Sequence, residues 1–334
     1  SEMRRRGIVA DVVTYNAAIN ACEKCHEWRC ALELMAGMRQ AALAPNRVTY
    51  STAIGACVKG RRWESALALL REMQCQRVEM EPILYSSVIS VCGQEEESNR
   101  ALQLAAEMES FGLEPTAITY ISTITACSTT QQWRKALDLL GEFRGSPSAF
   151  HFSGPYNAAI SACERSSQWE RALAVFSDMP QNWAPRDTVT FNAAIRACER
   201  GAKWEAALEL FWGMRRAGVE PDVVTCNTAA QACARCRRWE AALGLLGWMG
   251  RSGPEADVLT YTTAIGACVA NSDLKSVLAL FGEARQRPSV KCDAALYNAT
   301  MCACAKSKAW EEALGLLGGM AGGRGGGRGN RVHA

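Results

Sequence analysis

Apolar residues run along this chain in two alternating helical stripes. In the first, Tyr15, Ala18, Ile19 and Cys22 fall at i, i+3, i+4 and i+7, one face of an α-helix. In the second, Trp28, Ala31, Leu32 and Met35 keep that spacing. The few residues between them are polar or small, with Gly60 and Gly201 at the equivalent turn in later copies. The pattern predicts helix–turn–helix. It then returns: VVTYNAAINACEK from Val12, RVTYSTAIGACVK from Arg47, TVTFNAAIRACER from Thr188, VVTCNTAAQACAR from Val223 and VLTYTTAIGACVA from Val258. The period is 35 residues, with two units of 36, and weaker copies start at Pro82, Ala117, Ser153 and Ala294. Nine units cover residues 12–320. Units often close on proline and a polar residue, as in Ala44-Pro45-Asn46 and Glu220-Pro221-Asp222. Proline there is expected to stop the second helix.

A single helical hairpin cannot bury its apolar face, but stacked hairpins can. The expected fold is therefore all-α, a right-handed α-solenoid superhelix of stacked helix-turn-helix repeats with a long concave surface. Tyr15, Ile19, Trp28, Leu32 and their equivalents are expected in its core. Residues 1–11 read as the end of a preceding repeat, because Met3 and Asp11 stand where Met38 and Asn46 stand in the first full unit. Residues 321–334 read as a disordered Gly/Arg-rich tail. Its Arg-Gly spacing resembles segments that bind RNA loosely.

Cysteine content is the one compositional feature that complicates this picture. The sixteen cysteines include Cys22-Glu-Lys-Cys25-His26, a literal C-x-x-C-H, and a second C-x-x-C at Cys233 and Cys236. These strings carry haem, zinc or redox chemistry elsewhere. Here the first cysteine recurs in every unit, as Cys22, Cys57, Cys92, Cys127, Cys163, Cys198, Cys233, Cys268 and Cys304. Metal ligands must converge on one point, whereas these follow the long axis of the array. Neighbouring helices lie about 8–10 Å apart, beyond the ~7 Å reach of a disulfide. The position suits a small, weakly polar hydrophobe. The three histidines, His26, His151 and His333, show no grouping. No metal or other cofactor is expected. H-E-x-x-H and G-x-x-x-x-G-K-S/T are absent from the sequence, so the segment reads as a binding module and not an enzyme. The run Glu95-Glu96-Glu97 reads as a solvated turn. A net charge of +3 permits nucleic-acid binding without arguing for it, and no apolar run of 18 residues predicts a membrane span.

The 35-residue period, the VTYN opening, the W-E-x-A-L-x-L-L second helix and the terminal Pro-Asp resemble the pentatricopeptide repeat in its plain 35-residue form. The resemblance covers about nine-tenths of the chain. The tetratricopeptide pattern, with its 34-residue period and different first helix, is absent. The resemblance implies sequence-selective binding of single-stranded RNA, one repeat to one base, in a mitochondrion or chloroplast. It implies three roles. The residue after the helix-opening tyrosine and the last residue of the repeat read the base. The aliphatic residue two before the tyrosine sandwiches it.

Asn16 follows Tyr15, so a single-helix reading turns it away from the stripe and toward solvent, where an amide offers both donor and acceptor. Carried over residue by residue, the implied readers are Asn16 with Asn46 (a pyrimidine, C favoured), then Ser51 with Glu81 and Ser86 with Thr116. Those two match no strong rule, although a small hydroxyl hints at a purine. The fourth unit, with Ile121, reads nothing. Asn157 with Asp187, Asn192 with Asp222 and Asn227 with Asp257 each imply U, Thr262 with Asp293 implies G, and Asn298 has no clear partner. The implied target is Y-N-N-N-U-U-U-G-Y. The sandwiching residues are Val13, Val48, Ile83, Ile118, Val189, Val224 and Leu259, with Gly154 and Ala295 departing from the pattern. Candidate phosphate contacts are Lys24, Lys59, Arg61, Arg165, Arg200, Lys203, Arg235 and Lys306. A protein-binding helical scaffold, or a missing effector domain acting beside the array, is the alternative. The Asn–Asp periodicity favours RNA, because a protein groove has no reason to vary only those two places.

Overall fold

The computed structural model describes residues 10–95, 97–146, 151–271, 273–287, 290 and 292–322, with backbone only for 319–322. The reading of a preceding repeat end falls largely, and that of the Gly/Arg-rich tail almost wholly, outside these residues. So do Glu96 and His333. Among the described residues eighteen α-helices form nine hairpins. They are α1 (Val12–Lys24) with α2 (Trp28–Gln40), α3 (Arg47–Lys59) with α4 (Trp63–Cys75), and α5 (Pro82–Gln94) with α6 (Ser98–Ser110). Next come α7 (Ala117–Thr129) with α8 (Trp133–Gly145), α9 (Gly154–Arg165) with α10 (Trp169–Asp178), and α11 (Thr188–Arg200) with α12 (Trp204–Arg216). The last are α13 (Val223–Arg235) with α14 (Trp239–Ser252), α15 (Val258–Val269) with α16 (Leu274–Gln286), and α17 (Ala294–Lys306) with α18 (Trp310–Gly322). No strand occurs among the described residues. The chain divides into two compact units, one running to Ser166 with Ala174–Pro185, the other comprising Ser167–Leu173 and the chain from Arg186 onward. Within each unit the odd-numbered helices pack on one another in chain order, and α1, α3, α5, α7, α11, α13, α15 and α17 each also pack on their own partner helix. Each unit is thus a solenoid of stacked hairpins.

The turn inside each hairpin is made by backbone geometry that the recurring cysteine anchors. The Glu27 N–H donates to the Cys22 carbonyl at 2.9 Å, and Arg62 to Cys57, Lys203 to Cys198 and Arg238 to Cys233 do the same at that distance. This is the closing bond of a Schellman motif. The residue in the left-handed region is not glycine: it is His26 (φ +60°), Arg61 (+53°), Ala202 (+53°) or Arg237 (+57°). The C-x-x-C-H string is therefore a helix end, a cap and a left-handed turn residue. Gly60 and Gly201, one residue earlier, have ordinary φ. They are needed for space, since a Cβ on either would stand 2.5 Å from Cδ1 of Trp28 or Trp169. Over the same indoles lie cations of the next hairpin, Arg62 on Trp28 and Lys203 on Trp169, each 4.8 Å from the ring centre. The first tryptophan of one repeat is thus held by the glycine and cation of the next.

The second helix ends differently from the sequence expectation. Helix α2 stops at Gln40, four residues before Ala44-Pro45, with Ala42 left-handed (φ +55°) and Leu43 N–H closing on the Met38 carbonyl. Helix α12 stops likewise before Gly218 (φ +76°), ahead of Pro221. A left-handed cap ends these helices, and proline only begins the next repeat.

In the first unit the core is built on Ile19, Tyr50, Ile54, Leu70, Met73, Tyr85 and Ile89. In the second it is built on Ile195, Phe211, Leu245, Tyr261, Ile265 and Phe281. Tyr15, Trp28 and Leu32, in the first hairpin, are only half-buried. All sixteen cysteines are free. Burial pushes the thiols of Cys57 and Cys233 up to about 11 and that of Cys198 to about 12, so they stay protonated and unreactive as packing residues. One repeat exchanges volumes within the core. Tyr50 and Tyr261 donate to Glu72 and Glu283, 22 residues on, at 3.0 Å. Those two places are held in the seventh hairpin by Cys226 and Trp248, both buried, a small residue facing a large one.

Candidate nucleic-acid interface

The last residue of each repeat is the N-cap of the next first helix. The side chains of Asp11, Asn46, Thr116, Asp187, Asp222, Asp257 and Asp293 accept the backbone N–H three residues on, opening α1, α3, α7, α11, α13, α15 and α17. Such caps contribute about 1 kcal/mol each. At Asn46, Asp187, Asp222 and Asp257 the threonine at that third place returns the bond to the cap's own N–H, completing a capping box. Glu81 makes no cap bond and pairs with Arg47 instead.

One turn into each first helix stands the residue expected to read a base, and the structure corrects its surroundings. Asn16, Ser51, Asn157, Asn192 and Thr262 are half-buried rather than turned fully to solvent, Asn298 is exposed, and Ser86 and Asn227 are only 2% and 5% exposed. A single-helix reading leaves out the next hairpin, which stacks beside this position. The Oδ1 atoms of Asn16, Asn192 and Asn227 accept from the hydroxyls of Thr49, Thr225 and Thr260 at 2.6, 2.5 and 2.6 Å. Their Nδ2 atoms donate to Asn46, Asp222 and Asp257 at 3.3, 3.4 and 3.2 Å. In these three pairs of neighbouring hairpins the two expected reading residues thus sit in one hydrogen-bonded group. Ser86 Oγ lies 2.8 Å from Thr119 Oγ1 in the same arrangement. Thr262 departs from it: its hydroxyl donates to its own helix at the Val258 carbonyl, and Leu296 occupies the place of the threonine.

Burial by itself raises the Asp222 and Asp257 carboxyls. Hydrogen bonds from Thr225 and Asn192, and from Thr260 and Asn227, outweigh it, so both titrate below the ordinary 3.8. Both are anionic acceptors at neutral pH. Oδ1 of Asp222 accepts from the Thr225 N–H and the Asn192 amide and lies 2.7 Å from the Thr225 hydroxyl, whose one proton it shares with Oδ1 of Asn192. Oδ2 of Asp222 has lone pairs to offer, while Oδ2 of Asp257 lies 3.3 Å from Nδ2 of Asn227.

Beside these groups stands a row of exposed aliphatic side chains, each on the second residue of its helix. Val13, Val48, Ile83 and Ile118 in the first unit are 73, 50, 59 and 56% exposed, and Val189, Val224 and Leu259 in the second are 61, 50 and 48% exposed. Isolated exposed valines mean little, but these recur at one place in the repeat. In the second unit the space between two of them is a pocket of about 460 Å³. Val224 and Leu259 line it together with Asn227 and Asp257, and Arg196, Glu199, Arg200 and Gln231 also border it. Sequence reasoning missed Arg196, Gln231 and the threonines. Only the recurrence of the T in V-T-Y could have flagged the last.

Two of the expected phosphate contacts are already occupied. Lys59 pairs with Glu23 at 2.9 Å and Arg235 with Glu199 at 2.7 Å, each to the preceding repeat. Lys203 is committed to Trp169, and Arg61 is the left-handed turn residue. Lys24, Arg165, Arg200 and Lys306 lie in the last turns of α1, α9, α11 and α17. Among the described residues no three His, Cys, Asp or Glu side chains converge as a metal site requires, and no helix is long and apolar enough to cross a membrane.

Models of a pentatricopeptide repeat domain match residues 1–60 and 68–129, of the PPR repeat family 186–235 and 221–270, and of a PPR repeat 48–78, 155–183, 259–288 and 295–322. No curated protein matches the chain. Among solved structures, the pentatricopeptide repeat protein PPR10 from maize is 19% identical with a TM-score of 0.60, over 98% of this chain and 56% of that one. PPR10 in complex with an 18-nt psaJ RNA element is 20% identical with a TM-score of 0.58, over 96% and 51%. At these identities the likeness carries the fold, and the chain spans little more than half the length of PPR10.

Proposed function

Because this chain belongs to the pentatricopeptide repeat family, we propose that it binds single-stranded RNA, one base to a repeat, in the gaps between successive first helices. The observation that carries the reading is the pocket lined by Val224 and Leu259 together with Asn227 and Asp257. The apolar side chains suit the faces of a flat base, and the amide and carboxylate suit its edge. The N–H of Asn227 that Asp257 leaves unengaged donates to a carbonyl, and Oδ2 of Asp257, which Nδ2 of Asn227 approaches at 3.3 Å, accepts an imino N–H on a further lone pair. Uracil offers that pair at O4 and N3–H, and guanine offers it at O6 and N1–H. Cytosine and adenine present the opposite order. Where the cap is Asn46, its Oδ1 is taken by Thr49, so its free amide nitrogen donates instead, which suits N3 of cytosine. A long Asn reaches a small pyrimidine, whereas Thr262 leaves room for a purine.

In this reading Asn157 with Asp187, Asn192 with Asp222, and Asn227 with Asp257 select U, and Thr262 with Asp293 selects G, giving a UUUG core. The protein acts on an organellar transcript, in a mitochondrion or chloroplast, by masking or presenting this sequence for processing, stabilisation or translation.

A filter-binding series with single-stranded and duplex RNA of the same sequence tests the proposal. Single strands should bind, and duplexes should not, because their base edges are already paired. Affinity should fall with salt by about 0.7 log units per log unit of salt for each phosphate neutralised. Equal binding of both forms, or none of either, would sink the reading and leave the array a protein-binding scaffold.

A further inference from the structure

The threonine opening each following repeat has no role in the two-residue reading, yet it touches both readers. We infer that this threonine is a third, positioning member of each reading site, an inference that rests on the RNA-binding proposal above: Thr225 and Thr260 lock the amides of Asn192 and Asn227 in the one orientation that offers the base a donor.

A free asparagine amide flips readily and can present either its oxygen or its nitrogen. An ionised carboxylate only accepts, so Asp222 draws Nδ2 of Asn192, and the Thr225 hydroxyl, 2.5 Å from Oδ1 of Asn192 and 2.7 Å from Oδ1 of Asp222, bridges the two with one shared proton. The same happens between Thr260, Asp257 and Asn227. With Oδ1 engaged and one N–H committed, what remains toward the pocket is the second N–H. Without the hydroxyl, Oδ1 loses its partner and only the 3.4 Å bond to Asp222 opposes rotation of the amide to present an acceptor, weakening the distinction between uracil and cytosine. The threonines are 0–1% exposed and so cannot touch the base; they act through the asparagine.

The sequence carries the same pairing. Asn16, Asn157, Asn192 and Asn227 each have a threonine 33 residues on, at Thr49, Thr190, Thr225 and Thr260. Where the reader is Ser51, Ile121 or Thr262, the corresponding residue is Leu84, Pro155 or Leu296. Apart from Asn298 in the last unit, each asparagine reader is followed by the orienting hydroxyl, which Ser86 also has in Thr119. Ser51 and Thr262 therefore face their bases unclamped.

The test compares affinities for four RNAs that differ only at the base opposite Asn192 and Asp222. In the unaltered protein U should be preferred over C by about tenfold. Thr225→Val should cut that ratio to about twofold, while preferences at neighbouring bases hold and Thr225→Ser restores the original ratio. A purely structural role predicts instead that Thr225→Val weakens all four RNAs equally with the ratio intact, and that result overturns the inference. A second measurement needs no variant: the unaltered protein should discriminate more weakly opposite Ser51 and Thr262 than opposite Asn192 and Asn227. Equal discrimination at all four would also overturn it. Should the unaltered protein show no base preference at any repeat, the RNA-reading proposal fails first, and that failure is visible without any substitution.

Discussion

Asn192→Thr is expected to move the preferred base at one position from U to G, by about 1–3 kcal/mol in relative affinity, on the scale of base-edge discrimination in nucleic-acid grooves. The cap Asp222 stays in place, so the site still accepts an imino N–H at Oδ2, which uracil and guanine both supply. What changes is depth. The amide of Asn192 reaches across to Thr225 and Asp222, and the shorter hydroxyl would turn back to its own helix, as Thr262 does to the Val258 carbonyl. The vacated space admits a purine. Competition binding with RNAs varied at that base measures the shift. An unchanged preference for U would show that the length of this side chain does not set the size class of the base. Folding should change by only about 1 kcal/mol, the net worth of the lost hydrogen bonds.

Phe211→Ala should be the most damaging single truncation in the second unit, at about 3–5 kcal/mol. Phe211 is fully buried and meets Trp212 and Trp248 edge-on at 5.0 and 5.3 Å between ring centres. The neighbouring repeat has already traded its Tyr–Glu pair for Cys226 and Trp248, and an alanine at 211 would leave the Trp248 indole facing a void. Stability in a solenoid is a sum of repeat and nearest-neighbour terms, so the loss should be local. Urea denaturation followed by tryptophan fluorescence should show an early transition, with the helical signal of the remainder melting later. A single unshifted transition would mean that the site relaxes around the smaller side chain.

Much of this fold is written in local periodicity. The Tyr15–Cys22 and Trp28–Met35 stripes place both helices of a hairpin, because a period of 3.6 leaves no other regular structure for them. The recurrence of Cys22 already argued against metal, and its place at the end of the first helix gives the reason: it is a small side chain at the residue whose carbonyl closes the turn. The turn conformation itself was not legible, since His26, Arg61 and Ala202 are not residues that announce a left-handed backbone. Proline misled for the same reason, because it follows the helix end that the left-handed cap has already made. The site was half legible. The places of Asn192 and Asp222 follow from the repeat, and the exposure of Val224 and Leu259 accords with an aliphatic residue in a helix's first turn. The clamp by Thr225 depends on contact with a residue 33 positions away, and no single-helix pattern encodes that. The same stacking turns Asn227 from a solvent-facing side chain into a nearly buried one.

The central claim is that this row of Asn–Asp sites reads bases, rather than merely attracting a polyanion. It is tested most directly by equilibrium binding of a short single-stranded RNA with a UUUG core against a scrambled strand of identical length and composition. Phosphate contacts are the same for both strands and cancel, so any difference belongs to the base edges. The account predicts that the UUUG strand binds tighter by about tenfold or more; equal affinity for the two strands would contradict it.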